Sequence, residues 1–307
     1  MDVITKAELH HSGPDPSFAS LNGKSQPQHP RVILPDKPLM VIEPDRSRFA
    51  LNLRDLWMYR ELLYLLALRD IKVRYKQTVF GVAWVILQPL ITTLIFTIFL
   101  GKLARIPSDN IPYPLFAYTG LLAWTFFSGA VTNTGTSLVS NANLITKVYF
   151  PRMVIPGAAI GARLLDLGIG FVMLAGMMFY YGLAPTWRLL LLPLPVALLT
   201  LLSLGIGMWM SALNVKYRDV GAILPTLIQL WMYASPVVYP LSLVPPKWQW
   251  LYLLNPMTGI INAFRSSVLG QALDWPSLAA SAVATLVLLA YSALVFRRME
   301  KQFADIV

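Results

Sequence analysis

The feature that most limits this chain is the spacing of its charges. Seven stretches contain no Asp, Glu, Lys or Arg: Gln77 to Gly101, Asn110 to Thr146, Leu167 to Trp187, Leu189 to Val215, Val220 to Pro246, Trp248 to Phe264 and Trp275 to Phe296. A helix needs about 20 largely apolar residues to cross a bilayer, and six of the seven runs are long enough. The composition points the same way. Of 307 residues, 56% are hydrophobic and 13% charged, with a mean hydropathy of +0.58. A soluble domain carries about twice that share of charge and could not hide so much apolar surface in one core. This argues against a soluble enzyme or a disordered chain. With no cysteine there is no disulfide framework and no Cys metal site. The net charge of +10 is spread between apolar runs rather than gathered on one basic face, so nucleic acid is not expected as a partner.

The short run, Trp248 to Phe264, has Asn255-Pro256 in its middle, and proline breaks a helix interior. Each half reaches only about 12 Å at the helical rise. The run therefore predicts two half-helices that dip into the membrane from the outer side and return. Six full spans put both termini on one side. The N-terminal region is basic, and the C-terminal end carries Arg297, Arg298 and Lys301, so both termini are expected in the cytoplasm. The loops then placed outside hold Lys102, Arg105, Arg188, Lys247 and Arg265, few of the 25 basic residues.

Residues 1–50 are rich in Pro, Ser, Asp and Lys and read as a flexible cytoplasmic tail. They show no apolar core of a signal peptide. His10 and His11 lie there without further ligands in sequence, so no metal is expected. Residues 51–76 read as an amphipathic segment and basic run. Leu51, Leu53, Leu56, Trp57, Leu62, Leu63, Leu65 and Leu66 alternate at helical spacing with Arg54, Asp55, Arg60 and Glu61. That pattern suits a helix in the membrane interface, or one packed on a partner. Arg69, Lys72, Arg74 and Lys76 follow. They anchor the first span and could also attract anionic lipid headgroups.

Several motifs now carry a resemblance. Leu68 to Thr78, followed by Gly81, Trp84 and Leu87-Gln88-Pro89-Leu90, resembles the start of the first membrane helix in ABC-2-type polysaccharide exporters. These are the membrane subunits that move O-antigen, capsular polysaccharide or teichoic acid. Asn143 to Arg152 is similar to that family's loop after the second span, and Asn214 to Val220 to its loop after the fourth. Ser235 to Pro240 and Leu254 to Gly259 resemble the outer region before the last span. The likeness covers about residues 50–300. Asn262 departs from it, since relatives often place an acid there. The resemblance implies an all-α polytopic fold over residues 77–300, with a cytoplasmic interface helix, six transmembrane helices and two short re-entrant outer helices between the fifth and sixth. Residues 301–307 form a cytoplasmic C-terminus. It also implies a homodimer with the polysaccharide channel between the copies.

Uphill export needs an engine. Gly23-Lys24-Ser25 supplies the end of a P-loop, but Phe18 stands where its first glycine belongs. A separate P-loop ATPase is therefore expected, one per copy, carrying the ATP and Mg; no cofactor is expected on this chain. Coupling to it would use short cytoplasmic elements: Asn143, Leu144, Lys147, Tyr149 and Arg152 in one loop, Tyr217, Arg218 and Asp219 in another. Read from residues alone, the first loop is equally a plain connection whose charges set topology; the resemblance favours coupling or gating.

Aromatic rings can stack on the C–H faces of sugars while a chain slides. Trp84, Phe96, Phe99, Trp124, Trp231, Tyr233 and Tyr239 are the candidates for polysaccharide contact, although membrane helices also place such rings at interfaces and toward lipid. Arg163 and Asp166 share a helix face and read first as a structural pair, second as part of a hydrated path or gate. Gly157 and Gly161 form a G-x-x-x-G that permits close packing, within the chain or across a dimer.

The expected function is the membrane subunit of an ATP-driven exporter of lipid-linked polysaccharide, O-antigen first among the choices, in the inner membrane. An ABC-2 exporter of a drug or lipid is the alternative. A membrane glycosyl or phosphoglycosyl transferase is disfavoured, because the acids after residue 70 (Asp109, Asp166, Asp219, Asp274, Glu300 and Asp305) lie in different segments.

Overall fold

The computed structural model describes residues 57–76, 81–109 and 111–306, and among them it contains helices and no strand. The tail expected over 1–50 and the first part of the amphipathic segment lie outside the described residues. The order is α1 (Arg60–Lys76), α2 (Gly81–Phe96) running into a π-helical stretch (Thr97–Leu103), α3 (Tyr113–Ser140), α4 (Ala142–Lys147), α5 (Val154–Tyr180), a 3-10 turn (Trp187–Leu191), α6 (Pro193–Lys216) and α7 (Asp219–Tyr233). A second 3-10 turn (Leu241–Leu243), α8 (Pro246–Leu254), α9 (Pro256–Leu269) and α10 (Trp275–Ile306) complete it.

Five segments are long and apolar enough to cross a membrane: Ala83–Leu103, Tyr113–Ser140, Val154–Tyr180, Trp187–Lys216 and Trp275–Glu300. The run Val220 to Pro246, predicted as a full span, is instead the 15-residue α7 followed by irregular chain. At the helical rise α7 covers about 22 Å, short of the hydrocarbon layer. Its end has a local cause. Proline at 236 disfavours helix at Ser235, and Pro240 and Pro245 follow closely.

The run Trp248 to Phe264 does break at Asn255-Pro256, giving α8 and α9. Pro256 takes the first position of α9, where a missing N–H costs nothing. The Asn255 side chain caps the helix by accepting from the Met257 N–H at 3.1 Å. α9 runs on to Leu269 and closes at Gly270, whose φ of 73° suits the left-handed cap. Arg265, expected in an outer loop, is therefore a helical residue. It is only 3% exposed. Its Nη1 donates to the Pro236 carbonyl at 2.8 Å, its Nη2 to that of Val237, and its guanidinium lies 3.8 Å from the Phe116 ring centre. The sequence rule that charges mark loop ends fails here because backbone carbonyls and an aromatic face replace water around the cation.

α3 is the hub. It packs against α2, α5, α6, α7 and α9. Its most apolar stretch is 78% buried, against 11% for the first span. Leu115, Tyr118 and Phe127 of α3 pack with Leu199 and Leu202 of α6 and Phe264 of α9 in the core. A second cluster gathers Leu66 and Ala67 of α1, Leu138 of α3, Ile145 of α4, Val154 of α5, Val215 of α6 and Phe296 and Phe303 of α10. The connections α3–α4–α5 and the last turns of α10 thus share one end of the bundle. Arg152 joins them: its backbone N–H donates to Glu300 Oε1 at 3.2 Å, and its guanidinium to the Glu300 carbonyl.

α1 runs beside the first half of α5. A Cβ on Gly157 would lie 3.3 Å from Leu63, and one on Gly161 would lie 3.6 Å from Ala67 Cβ. The two glycines open the groove that α1 fills, so the G-x-x-x-G serves packing within the chain.

Candidate functional site

At the end of α1 the pairing with α5 turns polar. Arg74 Nη1 and the Tyr75 hydroxyl both donate to the Asp166 carboxylate. Arg163 Nη1 donates to the same carboxylate at 3.1 Å, and its Nη2 donates to Asn133 Oδ1 on α3 at 3.1 Å. Gly129, one turn from Asn133, makes room: a Cβ there would sit 2.8 Å from Arg163 Cζ. Burial and the adjacent carboxylate push the Tyr75 phenol well above its ordinary value, so Tyr75 stays a donor.

These groups form the polar end of a cavity of about 640 Å³ between α1, α2, α3 and α5. Its size falls in the range of small-molecule sites. Trp84 and Gln88 of α2 line one side, and Leu122, Phe126 and Leu167 form an apolar wall. Members of three sequence sets therefore meet here: Arg74 from the basic run, Trp84 from the aromatic candidates, and the pair Arg163 and Asp166. The pair is real, but it is part of a four-residue cluster with Arg74 and Tyr75. The sequence could not show this, because α1 and α5 are about 90 residues apart. Tyr75, Asn133 and Gly129 gave no sequence signal.

The rest of the basic run diverges. Arg69 pairs with Asp70 at 2.8 Å and donates to Asn141 Oδ1 at 2.7 Å, tying α1 to the α3–α4 junction. Lys72 and Lys76 are exposed.

The other aromatic candidates separate into groups. Trp124 is 4% exposed, inside the chain's own core. Its ring lies 5.3 Å from Phe127 and 6.5 Å from Trp231, the latter edge-on. Trp231 is half-buried and donates to Asn255 Oδ1 at 3.1 Å. Phe96 is half-buried against the Tyr113 and Phe116 cluster. Phe99 and Tyr233 are exposed. Tyr239 donates to the Tyr233 carbonyl at 3.1 Å, and its hydroxyl lies 3.1 Å from that of Tyr252.

The loop candidates face outward at the shared end. In the first, Asn143, Lys147 and Tyr149 are exposed, Tyr149 at 88%, while Leu144 packs on the second cluster and Ile145 and Phe150 are its buried anchors. Arg152 is turned inward to Glu300. In the second, Tyr217, Arg218 and Asp219 are exposed, and Lys216 lies 5.1 Å from the Tyr217 ring. Asn214 fixes this loop: its Nδ2 donates to the Gly135 carbonyl at 3.2 Å and its Oδ1 accepts from the Gly221 N–H at 2.9 Å.

The profile of the ABC-2 type transporter family matches residues 61–269. The O-antigen export system permease protein RfbA of Myxococcus xanthus is 30% identical over 256 residues, 82% of this chain and 97% of that protein. The protein of the same name from Klebsiella pneumoniae is 29% identical over 247 residues, 80% of this chain and 95% of the relative. The polysialic acid transport protein KpsM of Escherichia coli is 28% identical over 243 residues, 77% and 92% of the two chains. The matched residues 61–269 take in the helices that line the cavity and both loops at the shared end, and the chain belongs to the ABC-2 type transporter family of membrane proteins.

Proposed function

We propose that this chain is the transmembrane subunit of an ATP-driven exporter that carries lipid-linked polysaccharide, O-antigen in the first instance, out of the cytoplasm across the inner membrane. The observation that carries the reading is similarity to an O-antigen export permease along nearly that protein's whole length. Two copies would enclose the channel, each with a P-loop ATPase subunit that binds ATP and Mg. α7 and the irregular residues after it would make the fifth crossing, with α8 and α9 as the re-entrant pair. Both termini would then be cytoplasmic. The positive charge before the first span and at Arg297 and Arg298 favours that orientation.

In this arrangement the exposed side chains of Asn143, Lys147, Tyr149, Tyr217, Arg218 and Asp219 form the cytoplasmic contact with the ATPase. Ile145 and Phe150, buried in the second cluster, would pass a push on this loop to α5 and α10. Exposed Trp84, Phe99 and Tyr233 would meet the sugar or the carrier lipid, and Arg69, Lys72, Arg74 and Lys76 would receive the headgroup. The test is inactivation of the gene in its host, with surface and intracellular polysaccharide measured. Lipid-linked polymer should accumulate inside and vanish from the surface, and the intact gene should reverse this. Unchanged surface polymer would reject the reading.

A further inference from the structure

The connection from α4 to α5 is held at its end by one residue pair. Arg152 lies in that connection and Glu300 near the end of α10, and they bind each other twice in opposite senses. The Arg152 backbone N–H donates to Glu300 Oε1 at 3.2 Å, while the Arg152 guanidinium donates to the Glu300 backbone carbonyl. Each residue thus gives both main chain and side chain, which sets the orientation of the loop on the helix as well as its distance. The guanidinium carbon also lies 5.9 Å from the ring centre of Phe303, which is 1% exposed and packs edge-on against Phe296 at 5.3 Å. Apolar packing of Ile145 and Phe150 alone is non-directional and would let the loop slide on the helix. Lys147 and Tyr149, a few residues earlier, are exposed. The other partner, α10, runs without a break for 32 residues from Trp275 to Ile306, about 48 Å at the helical rise. It packs along α6 and, toward its start, on α9. There a Cβ on Gly259 would overlap the Ser277 carbonyl, so the two helices touch backbone to backbone. α9 in turn carries Arg265, which holds the Pro236 and Val237 carbonyls beyond α7.

We propose that Arg152 and Glu300 are positioning residues that lock the loop after α4 to the last helix, so that the loop and α10 move as one body. Arg152 then acts inside the chain rather than on a partner's surface. The covalent chain joins the loop to α4 and α5 alone. The paired bonds add α10, and with it α9 and the segment that Arg265 holds. On the exporter reading, on which this consequence rests, a displacement of exposed Lys147 and Tyr149 by the ATPase would reach the far end of the bundle through the last helix. The joining of loop and helix does not depend on that reading.

The test follows deuterium uptake in the purified full-length chain by mass spectrometry. Glu300→Ala should speed uptake across residues 148–153 about tenfold, the worth of one charge-assisted hydrogen bond. Arg152→Met, which keeps Glu300 and its accepted N–H, should speed uptake across residues 298–303 of α10; it also serves if Glu300→Ala fails to fold. Glu300→Gln keeps an acceptor for the Arg152 N–H and should stay within about threefold of the parent. Uptake in α3 and α6 should not change in any of them. Parental uptake in both segments, or equal acceleration throughout α3 and α6, would overturn the proposal. The second readout is export per ATP hydrolysed, in inverted membrane vesicles that hold the chain with its ATPase. Glu300→Ala should keep ATPase association and hydrolysis while export per ATP falls severalfold, and Glu300→Gln should restore it. A bond that only supported the fold would lower yield and leave this ratio alone, so a parental ratio in Glu300→Ala would overturn the positioning role. If no ATPase accompanies the parent chain, the exporter reading fails, and the uptake result alone decides whether loop and helix form one body.

Discussion

Asn255 uses both ends of its side-chain amide. Its Oδ1 accepts from the Met257 N–H and from Trp231 Nε1, and its Nδ2 donates to Ser235 Oγ at 2.8 Å and the Ala234 carbonyl at 3.3 Å. One residue thereby caps α9 and ties the end of α7 to the break between α8 and α9. Asn255→Ala should destabilise the chain by about 1–3 kcal/mol, the range for a lost cap and unpaired buried groups. Thermal unfolding followed by tryptophan fluorescence would show it, and an unchanged midpoint would contradict it. Arg265 makes a second residue-scale case. Arg265→Met matches its bulk but leaves the Pro236 and Val237 carbonyls without donors, so it should lower the unfolding midpoint at least as far as Asn255→Ala. Arg265→Lys should recover only part of the loss, because an ammonium cannot lie flat on Phe116 while reaching both carbonyls. Equal stability of the lysine variant and the parent would show that charge alone matters.

Among the elements, the docking of α1 on α5 gives the sharpest prediction. The distance from Ala67 Cβ to a Cβ on Gly161, 3.6 Å, is within the disulfide range, and the chain has no cysteine of its own. Ala67→Cys with Gly161→Cys should therefore oxidise within one chain, seen as a shifted monomer on a non-reducing gel. Gly157→Leu, which drives a side chain into Leu63, should cut the yield severalfold. A band at dimer mass instead would place the glycine face between copies. How far these elements were legible depends on what each needed. Charge-free runs suffice for α2, α3, α5, α6 and α10, because apolar length alone decides them. Asn255-Pro256 announces the α8–α9 break through proline chemistry. α7 is shorter than the charge-free run Val220 to Pro246 because absence of charge does not register the prolines at 236, 240 and 245 that end the helix. The cavity was legible only in pieces. Arg163 and Asp166 are three residues apart, but Arg74, Tyr75, Asn133 and Gly129 join them through tertiary packing that no local pattern encodes. Arg265 was misplaced because its solvation is supplied by a distant segment of backbone.

At the scale of the molecule, the two larger clusters of buried residues divide the labour. The larger core fixes α3, α5, α6 and α9 around one another, while the second gathers α1, α4 and the ends of α5, α6 and α10. That second end displays exposed Lys147, Tyr149, Tyr217 and Arg218 over buried Ile145 and Phe150. Under the exporter reading, such an end would receive force from the ATPase. Tyr149, at 88% exposure, contributes little to the fold of the isolated chain. Tyr149→Ala and Lys147→Glu should therefore leave its unfolding midpoint nearly unchanged while weakening association with an ATPase. The decisive measurement is affinity purification of the chain from its native membrane, with mass spectrometry of what accompanies it and an assay of ATP hydrolysis. A P-loop ATPase should co-purify in equal amount, with hydrolysis that falls in Tyr149→Ala and Lys147→Glu. A chain recovered alone in mild detergent, with no ATPase activity, would contradict the role of a transporter membrane subunit.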